Sequence, residues 1–287
     1  MFIFILIILG LIFGSFVNAL VWRVYKQSEF DIISQKKPNN KKIQKLDISK
    51  YSILKGRSMC PYCKHELSAT DLIPVLSWLL LRGKCRYCKK QISIQYPLVE
   101  LFTALLFVIS FLAWPTTLNN SWEYLNFVTW LIMIIGLIGL AIYDIKWMIL
   151  PDKIIYPILI IAILSFVTQL ILGRATIDLI MVILSSLIGG GLFWLIYQIS
   201  NGNWIGGGDV KLGFLLGILV VRPELAFLVL FLASILGIVY IMPLLISKKL
   251  KKTSKVPFGP FLIMATFIVI LYGPSIVNWY KSLILIS

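Results

Sequence analysis

The stretch NWIGGGDVK, residues 203–211, places three consecutive glycines and a carboxylate between two apolar segments that each suit a lipid bilayer. An ionisable side chain at membrane depth costs at least about 2.5 to 3.5 kcal/mol, so it persists where it is buried in protein or performs a task. Glycine lets another chain approach the backbone closely, as a site for an extended peptide requires. We therefore identify Asp209 as a candidate catalytic residue and Gly206, Gly207 and Gly208 as its supporting active-site loop.

A second carboxylate in similar surroundings, Asp144, follows the apolar run 131–143. Two predicted spans separate it from Asp209. Because two crossings return a chain to the side that it left, the two carboxylates are predicted to share one membrane face. Pro151 disfavours continuation of the preceding helix, and Asp152 after it is predicted to cap the next helix at its N-terminus.

Composition places the chain among polytopic membrane proteins. Of its 287 residues, 59% are hydrophobic and only 14% are charged, which excludes a soluble domain. We predict an all-α polytopic membrane protein with about eight transmembrane helices, each near the roughly 20 residues that span the hydrocarbon. The predicted spans are 1–22, 98–114, 125–143, 154–172, 177–200, 204–221, 224–246 and 256–280. Only 210–221 of the sixth is continuously apolar, so this helix is either short or starts from an unwound glycine loop within the membrane.

Basic residues set the predicted orientation. Arg23 and Lys26 directly follow the first apolar run, so its C-terminal end is predicted to face the cytoplasm and the N-terminus to lie outside. The first run has no cleavage signal after it, and we interpret it as a retained helix. Of the 27 Lys and Arg residues, all but Arg174, Arg222 and Lys281 then fall on the cytoplasmic side. The net charge of +15 is therefore mainly a signal of topology, which argues against nucleic-acid binding and favours contact of the basic loop with membrane lipid.

These considerations divide the chain into three predicted parts. Residues 1–22 form the first transmembrane helix, 23–96 a cytoplasmic loop domain and 97–287 a transmembrane domain. Within the second part, residues 26–58 are polar and rich in lysine without a helical or strand period, so we predict a loop at least as far as Asp47.

Two CxxC pairs in the loop domain predict a metal site. The pairs are separated by 21 residues, close to the spacing of zinc sites with four cysteine ligands. Disulfides are disfavoured in the cytoplasm, which leaves a structural zinc or a set of unliganded thiols. His65 is interpreted as a surface residue. The predicted ligands are all the cysteines of the chain, Cys60, Cys63, Cys85 and Cys88.

Three further features allow either a structural or a functional interpretation. Gly14, Ser15, Phe16 and Asn18, closed by Arg23, either form a small-residue face for helix packing or take part in function. The apolar segment 71–84 lies between the CxxC pairs and is too short to span, so it is predicted along the membrane surface or under the zinc knuckle. Glu100 near the start of the second span is interpreted as a capping or snorkelling carboxylate.

The two aspartates suggest a specific chemistry. Two carboxylates brought close share a proton, so that one accepts a proton from water while the other donates to a carbonyl oxygen, as in aspartic proteases. The single histidine lies in the zinc loop, which leaves no evident membrane histidine for a serine triad or a zinc protease. The alternative is a transporter whose Asp pair binds protons or cations.

Together the motifs resemble the bacterial type IV prepilin leader peptidases, intramembrane aspartic proteases of the GxGD class. The resemblance covers nearly the whole chain. It is carried by GSFVN with Arg23, CPYC and CRYC, YPLVE, the stretch 144–152, GGGDVK and PFGPF.

The resemblance implies that Asp144 and Asp209 are the catalytic pair, which cuts type IV prepilins or pseudopilins after a glycine that ends a short basic leader. It implies a bacterial cell membrane location. It also implies methylation of the new N-terminal amine, usually that of a phenylalanine, with S-adenosylmethionine as the donor. Methyl transfer or substrate binding is then tied to the N-terminal loop and to residues 14–16, Asn18 and Arg23.

Overall fold

The structure is a computed structural model that describes residues 1–36, 48–53, 55–171, 179–248 and 256–285. Apart from isolated β-bridges and short turns, the elements in these ranges are helices, and the chain forms two compact units, Met1–Leu112 and Ala113–Ser287. Seven helices of the described ranges are long and apolar enough to cross a membrane. The predicted all-α multi-pass class is therefore confirmed.

The first unit is built on two helices in close contact. It contains α1 (Phe2–Lys36), the short α2 (Leu76–Leu80) and α3 (Gln95–Leu112). A Cβ added at Gly14 would lie 2.6 Å from the Glu100 Cα atom, and one at Gly10 would collide with the Ala104 backbone. Small residues thus let the α1 and α3 backbones approach each other, as is common between membrane helices.

The prediction of a loop from residue 26 is wrong over residues 26–36, because α1 continues through Lys36. A later segment of the chain packs against this part of α1 and stabilises it. Arg23 Nη1 donates to the Ile53 carbonyl at 2.9 Å, and Gln27 Nε2 donates to the Tyr51 carbonyl at 2.7 Å. These tertiary contacts explain why the segment is helical although its sequence shows no helical periodicity. Residues 37–47 of the predicted loop lie outside the described residues.

The second unit is arranged around a long central helix. In α4 the most apolar window is 61% buried, against 22 to 39% in the other long helices. Asn120 caps α4, since its side chain accepts from the Glu123 N–H, and the Glu123 side chain returns to the cap backbone. The helices of this unit are α4 (Ser121–Trp147), α5 (Asp152–Ile171), α6 (Leu179–Ser200), α7 (Gly207–Val220), α8 (Pro223–Ile246) and α9 (Gly259–Leu285).

Helix α7 corresponds to the weakest predicted span and is short. Its 14 residues rise only about 21 Å, less than the roughly 30 Å of a hydrocarbon core. The helix begins at Gly207, and Gly206 before it is extended at φ −74° and ψ 146°. Gly207 and Gly208 therefore form the first helical turn, and of the three residues predicted as a loop only Gly206 lies outside the helix.

Helix α6 holds α7 through backbone contacts. A π-helical segment, Leu187–Gly191, interrupts α6. A Cβ added at Gly189 would lie 2.6 Å from the Gly213 carbonyl oxygen of α7, and the Ser185 hydroxyl donates to the Gly217 carbonyl at 2.7 Å. The close approach at Gly189 and the Ser185 hydrogen bond thus fix the position of the helix that carries Asp209.

Candidate active site and metal centre

Asp144 lies at the C-terminal end of α4 and is buried, with 5% of its surface exposed. The helix ends there because Met148 adopts a left-handed conformation at φ 54°, and its N–H donates to the Asp144 carbonyl at 2.8 Å. The carboxylate is thereby placed at a helix end.

The Asp144 carboxylate binds the start of α9. The Gly259 N–H donates to Asp144 Oδ2 at 3.0 Å, a buried hydrogen bond between groups 115 residues apart. A Cβ added at Gly259 would lie 2.7 Å from the same oxygen. Only glycine therefore allows this approach without a shift of the carboxylate or the loop.

Asp209 is half-buried in the first turn of α7. Its N–H donates to the Gly206 carbonyl at 3.1 Å, and Gly206 lies beside the Asp209 carboxylate, since a Cβ added at Gly206 would lie 3.3 Å from Oδ2. An anionic side chain in the first turn also interacts favourably with the helix dipole.

The helix ends that carry the two carboxylates meet around Leu150. A Cβ added at Gly208, next to Asp209, would lie 2.9 Å from Leu150 Cβ, and one at Gly259, which binds Asp144, would lie 3.6 Å from Leu150 Cδ2. The negative charge of Asp209 is close enough to act on Asp144. The ends of α4, α7 and α9 therefore meet, as the count of crossings predicted for the aspartates. Such a pair can share one proton and activate a water molecule.

Asp152 differs from the prediction. The Ile154 and Ile155 N–H groups bind the Pro151 carbonyl, so Pro151 occupies the cap position and Asp152 is the first residue of α5. The Asp152 carboxylate instead accepts from Lys211 Nζ at 2.6 Å. Both side chains are exposed, so this pair contributes about 0 to 1 kcal/mol while it links α5 to α7.

The four cysteines of the first unit form one cluster. Their Sγ atoms all lie within 4.8 Å of one another, and the Cys60 and Cys88 sulfurs are 3.9 Å apart. A tetrahedral zinc with Zn–S bonds of about 2.3 Å requires sulfurs about 3.8 Å apart. The donor set therefore fits a metal ion with four thiolate ligands.

The two CxxC segments have the same local structure. In the first, Cys60 N–H donates to the His65 carbonyl and Lys64 N–H to the Cys60 carbonyl; in the second, Cys85 pairs in the same way with Lys90 and Lys89. The pattern predicted from the spacing thus folds as two equivalent knuckles. His65 is exposed and stacks on Tyr87 with ring centroids 3.7 Å apart, as expected of a surface residue.

Asp71 links the segment between the knuckles to the second knuckle. Arg86 Nε donates to its carboxylate at 2.7 Å, and the Ser68 hydroxyl donates at 2.8 Å. Burial raises the pKa of Asp71, but the hydrogen bonds from Ser68 and Arg86 outweigh burial and hold that pKa below its usual value. The carboxylate is therefore ionised at neutral pH and holds this segment in place.

Two family models match the chain. The Bacterial Peptidase A24 N-terminal domain matches residues 8–114, which include the four cysteines, and the Type IV leader peptidase family matches residues 131–242, which include both aspartates. A prepilin leader peptidase/N-methyltransferase of Aeromonas salmonicida (strain A449) is 33% identical over 282 residues, covering 96% of this chain and 92% of the relative. The chain belongs to the type IV leader peptidase family.

Other relatives in the type IV leader peptidase family carry the same name. A prepilin leader peptidase/N-methyltransferase of Pseudomonas aeruginosa is 30% identical over 276 residues, with 96% of this chain and 91% of the relative covered. That of Bacillus subtilis (strain 168) is 30% identical over 245 residues, with 82% and 89% covered. No solved structure matches the chain.

In this leader peptidase family member, two of the N-terminal candidate residues, Gly14 and Asn18, lie at the contact of α1 with α3. The Asn18 amide donates to the Gly14 and Tyr96 carbonyls at 3.3 and 3.1 Å. The Arg23 guanidinium donates to the Ile53 carbonyl, as described above. Among the described residues, these contacts favour the packing interpretation for Gly14, Asn18 and Arg23, whereas Phe16 is exposed.

Sequence reasoning missed the roles of two residues. Glu100 is buried, with 6% exposed, and its Oε2 accepts from the Val75 N–H at 2.7 Å while Ser15 donates to the same carboxylate. The snorkelling interpretation of Glu100 is therefore wrong. Gly259 was identified only as part of the PFGPF motif. Its contact with Asp144 uses the backbone N–H, so no side chain indicates the partner.

Proposed function

We propose that the chain is an intramembrane aspartic endopeptidase that removes the short basic leader of type IV prepilins or pseudopilins. The cut is made at a Gly–Phe bond on the cytoplasmic face of the membrane. Family membership and the name shared by its relatives support this substrate class. The single observation that carries the proposal is that the helix ends bearing Asp144 and Asp209 meet around Leu150.

The reaction needs one water molecule and the two carboxylates. One aspartate, ionised, takes a proton from water as the hydroxyl oxygen attacks the glycine carbonyl carbon. The other, protonated, gives its proton to the carbonyl oxygen, which yields a neutral tetrahedral diol. The first aspartate then gives this proton to the phenylalanine nitrogen while the second aspartate takes a proton from the diol, so that the C–N bond breaks. A glycine carboxyl end and a free amine form, and the pair returns to its starting protonation state.

The glycines around Asp209 have separate tasks in this proposal. Gly206 lies close to the Asp209 carboxylate, and Gly208 leaves room for Leu150 beside the pair. Gly207 is exposed, and a Cβ there would meet only Tyr197 at 3.9 Å. An extended substrate backbone can therefore approach α7 at Gly207.

We propose a structural zinc at Cys60, Cys63, Cys85 and Cys88. With four thiolates bound, no coordination position stays open for a catalytic water, so the ion supplies a cross-link between the knuckles. Burial raises the pKa of the Cys60 thiol, whereas the backbone N–H groups of Tyr62 and Cys63 act to lower it, and those of Tyr87 and Cys88 lower the pKa of Cys85. Such donors stabilise the thiolates that a metal requires.

Methylation of the new N-terminus with S-adenosylmethionine is the second proposed activity. The name of the relatives supports it. The Asn18 amide and one guanidinium nitrogen of Arg23 donate to backbone carbonyls, which supports a structural role for these two residues. We therefore derive no methylation step from them.

The proposed location is the bacterial plasma membrane, with the N-terminus outside and both the zinc knuckles and the Asp pair on the cytoplasmic side. This orientation rests on the distribution of lysine and arginine. The proposed partners are prepilins or pseudopilins and membrane lipid, without nucleic acid. Nothing in the part of the chain that the structure describes favours the transporter alternative.

The test is to incubate the purified protein with a prepilin and record the intact mass of the product with and without S-adenosylmethionine. Loss of the leader, with one methyl group added only when the donor is present, is the expected result. An uncut prepilin in the presence of folded enzyme contradicts the peptidase proposal. Cleavage without a methyl group contradicts the methylation proposal alone.

A further inference from the structure

The first turn of α9 presents one backbone donor to the Asp pair. Phe258 precedes the helix, and its carbonyl accepts from the Phe261 and Leu262 N–H groups. Pro260 has no N–H to donate. Of the donors in this turn, the Gly259 N–H is thus the one that reaches the Asp144 carboxylate.

This donor is rigid and electrostatically favourable. Gly259 is the first residue of a 27-residue helix, so its N–H lies at the positive end of the helix dipole. Proline fixes its own φ, and Pro257 and Pro260 flank the donor on both sides. A donor that is held before the reaction needs no reorganisation when charge moves on the carboxylate.

The contact also explains why residue 259 is glycine. Its φ is not in the left-handed region, so the backbone conformation does not require glycine. The requirement is space, because an added Cβ would lie 2.7 Å from Asp144 Oδ2 and 3.4 Å from its Cγ. By comparison, a Cβ at Gly237 of α8 would meet only ordinary contacts, at 3.7 Å from Phe261.

We propose that Gly259 is a positioning residue for catalysis, whose amide holds Oδ2 of Asp144 so that the other oxygen is directed to the water shared with Asp209. The inference rests on the proposed peptidase function and extends it to a segment beyond the stretch that the family model matches. It makes the start of α9 the third structural part of the active site, after the end of α4 and the start of α7.

The contact itself can be tested by NMR without any change at Gly259. Labelling phenylalanine with ¹³C at the carbonyl and glycine with ¹⁵N selects amides of Phe–Gly pairs, of which the chain has two, Phe13–Gly14 and Phe258–Gly259. We expect Asp144→Asn to move one of the two resonances and to leave the other in place as the internal control. If neither resonance moves in the folded variant, the contact is absent and the proposal fails.

The consequence for catalysis is tested by Gly259→Ala, with Gly237→Ala as the matched control. A displacement of about 1 Å at a reacting group lowers the rate about 100-fold, so we expect kcat for prepilin cleavage to fall by about that factor with KM within twofold. Gly237→Ala keeps the native kcat. A folded Gly259→Ala enzyme with native kcat, or with a raised KM alone, overturns the positioning role.

The cleavage assay and the NMR experiment distinguish failure of this inference from failure of the proposed function. If the native enzyme does not cut prepilin, the peptidase proposal fails, whatever the NMR spectrum shows. If the native enzyme cuts and the Gly259 amide does not respond to Asp144→Asn, only the positioning role fails. Should Gly259→Ala not fold, the spectrum of Asp144→Asn still decides whether the contact exists.

Discussion

Backbone amides hold one buried carboxylate in each unit. Gly259 donates to Asp144 and Val75 donates to Glu100. A buried anion without partners is costly, and a hydrogen bond to a charged group contributes about 1.5 to 3 kcal/mol. In the case of Glu100 the donor residue is itself unusual, because Val75 is β-branched and has φ 60° and ψ −50°. Such a conformation costs about 1 to 3 kcal/mol and persists where surrounding contacts enforce it.

Replacement of Glu100 should therefore destabilise the first unit. In Glu100→Ala, the Val75 N–H and the Ser15 hydroxyl lose their acceptor, so we expect a loss of about 1 to 3 kcal/mol in the free energy of unfolding. Glu100→Gln keeps a carbonyl acceptor and should lose less. Thermal unfolding in detergent measures both variants, and equal stability of Glu100→Ala and the native protein contradicts the role assigned here.

At the scale of helices, the number of membrane crossings between the aspartates and the spacing of the cysteines predicted the main features of the two candidate sites. Parity placed Asp144 and Asp209 on one face, and the spacing of the CxxC pairs predicted the cysteine cluster. The continuation of α1 to Lys36 was not predictable, because Tyr51 and Ile53 stabilise it and neither is adjacent in sequence. Gly259 could not be predicted either, since its contact spans 115 residues and uses only the backbone.

The crossing of α6 and α7 gives a prediction about glycine. In Gly189→Ala the new Cβ would press on the Gly213 carbonyl at 2.6 Å, so we expect a loss of about 1 to 3 kcal/mol in stability and a displaced α7. Gly191→Ala is the matched control two residues away, where a Cβ meets only Leu187 at 3.9 Å. Thermal unfolding of the two variants tests the prediction, which equal melting temperatures would contradict.

The knuckles give a second prediction at this scale. Metal analysis of the purified protein should find about one zinc per chain, the stoichiometry of a site with four cysteine ligands. Cys60→Ser should lower the zinc content and the thermal stability, because binding of the metal is coupled to folding. His65→Ala should keep both, since the described cluster contains cysteines alone. A metal-free protein with four intact thiols rules out the zinc proposal.

At the scale of the whole chain, the short helix α7 decides the topology. If α7 crosses the membrane together with the seven longer helices, the chain crosses eight times and its N- and C-termini lie on the same side. In the proposed orientation, that side is the exterior. If α7 does not cross, the same orientation places the C-terminal end in the cytoplasm.

Reporter fusions test this topology. Alkaline phosphatase, which is active only outside the cytoplasm, should be active when fused after Leu285. The same enzyme fused after Ser247, at the end of α8, should be inactive, and green fluorescent protein should give the reverse pattern at the two positions. An inactive phosphatase after Leu285 in a stable fusion would show that α7 does not span.

The most direct test of the account is the rate of prepilin cleavage by Asp144→Asn and Asp209→Asn, with Asp152→Asn as the control. Asparagine cannot accept or donate the proton that the mechanism requires, so each of the first two changes should lower kcat about 100- to 10,000-fold or more. Zinc content and thermal unfolding should stay native. Asp152→Asn removes only an exposed ion pair and should keep the native rate. Native cleavage by a folded Asp144→Asn or Asp209→Asn enzyme would contradict the claim that this pair is the catalytic centre.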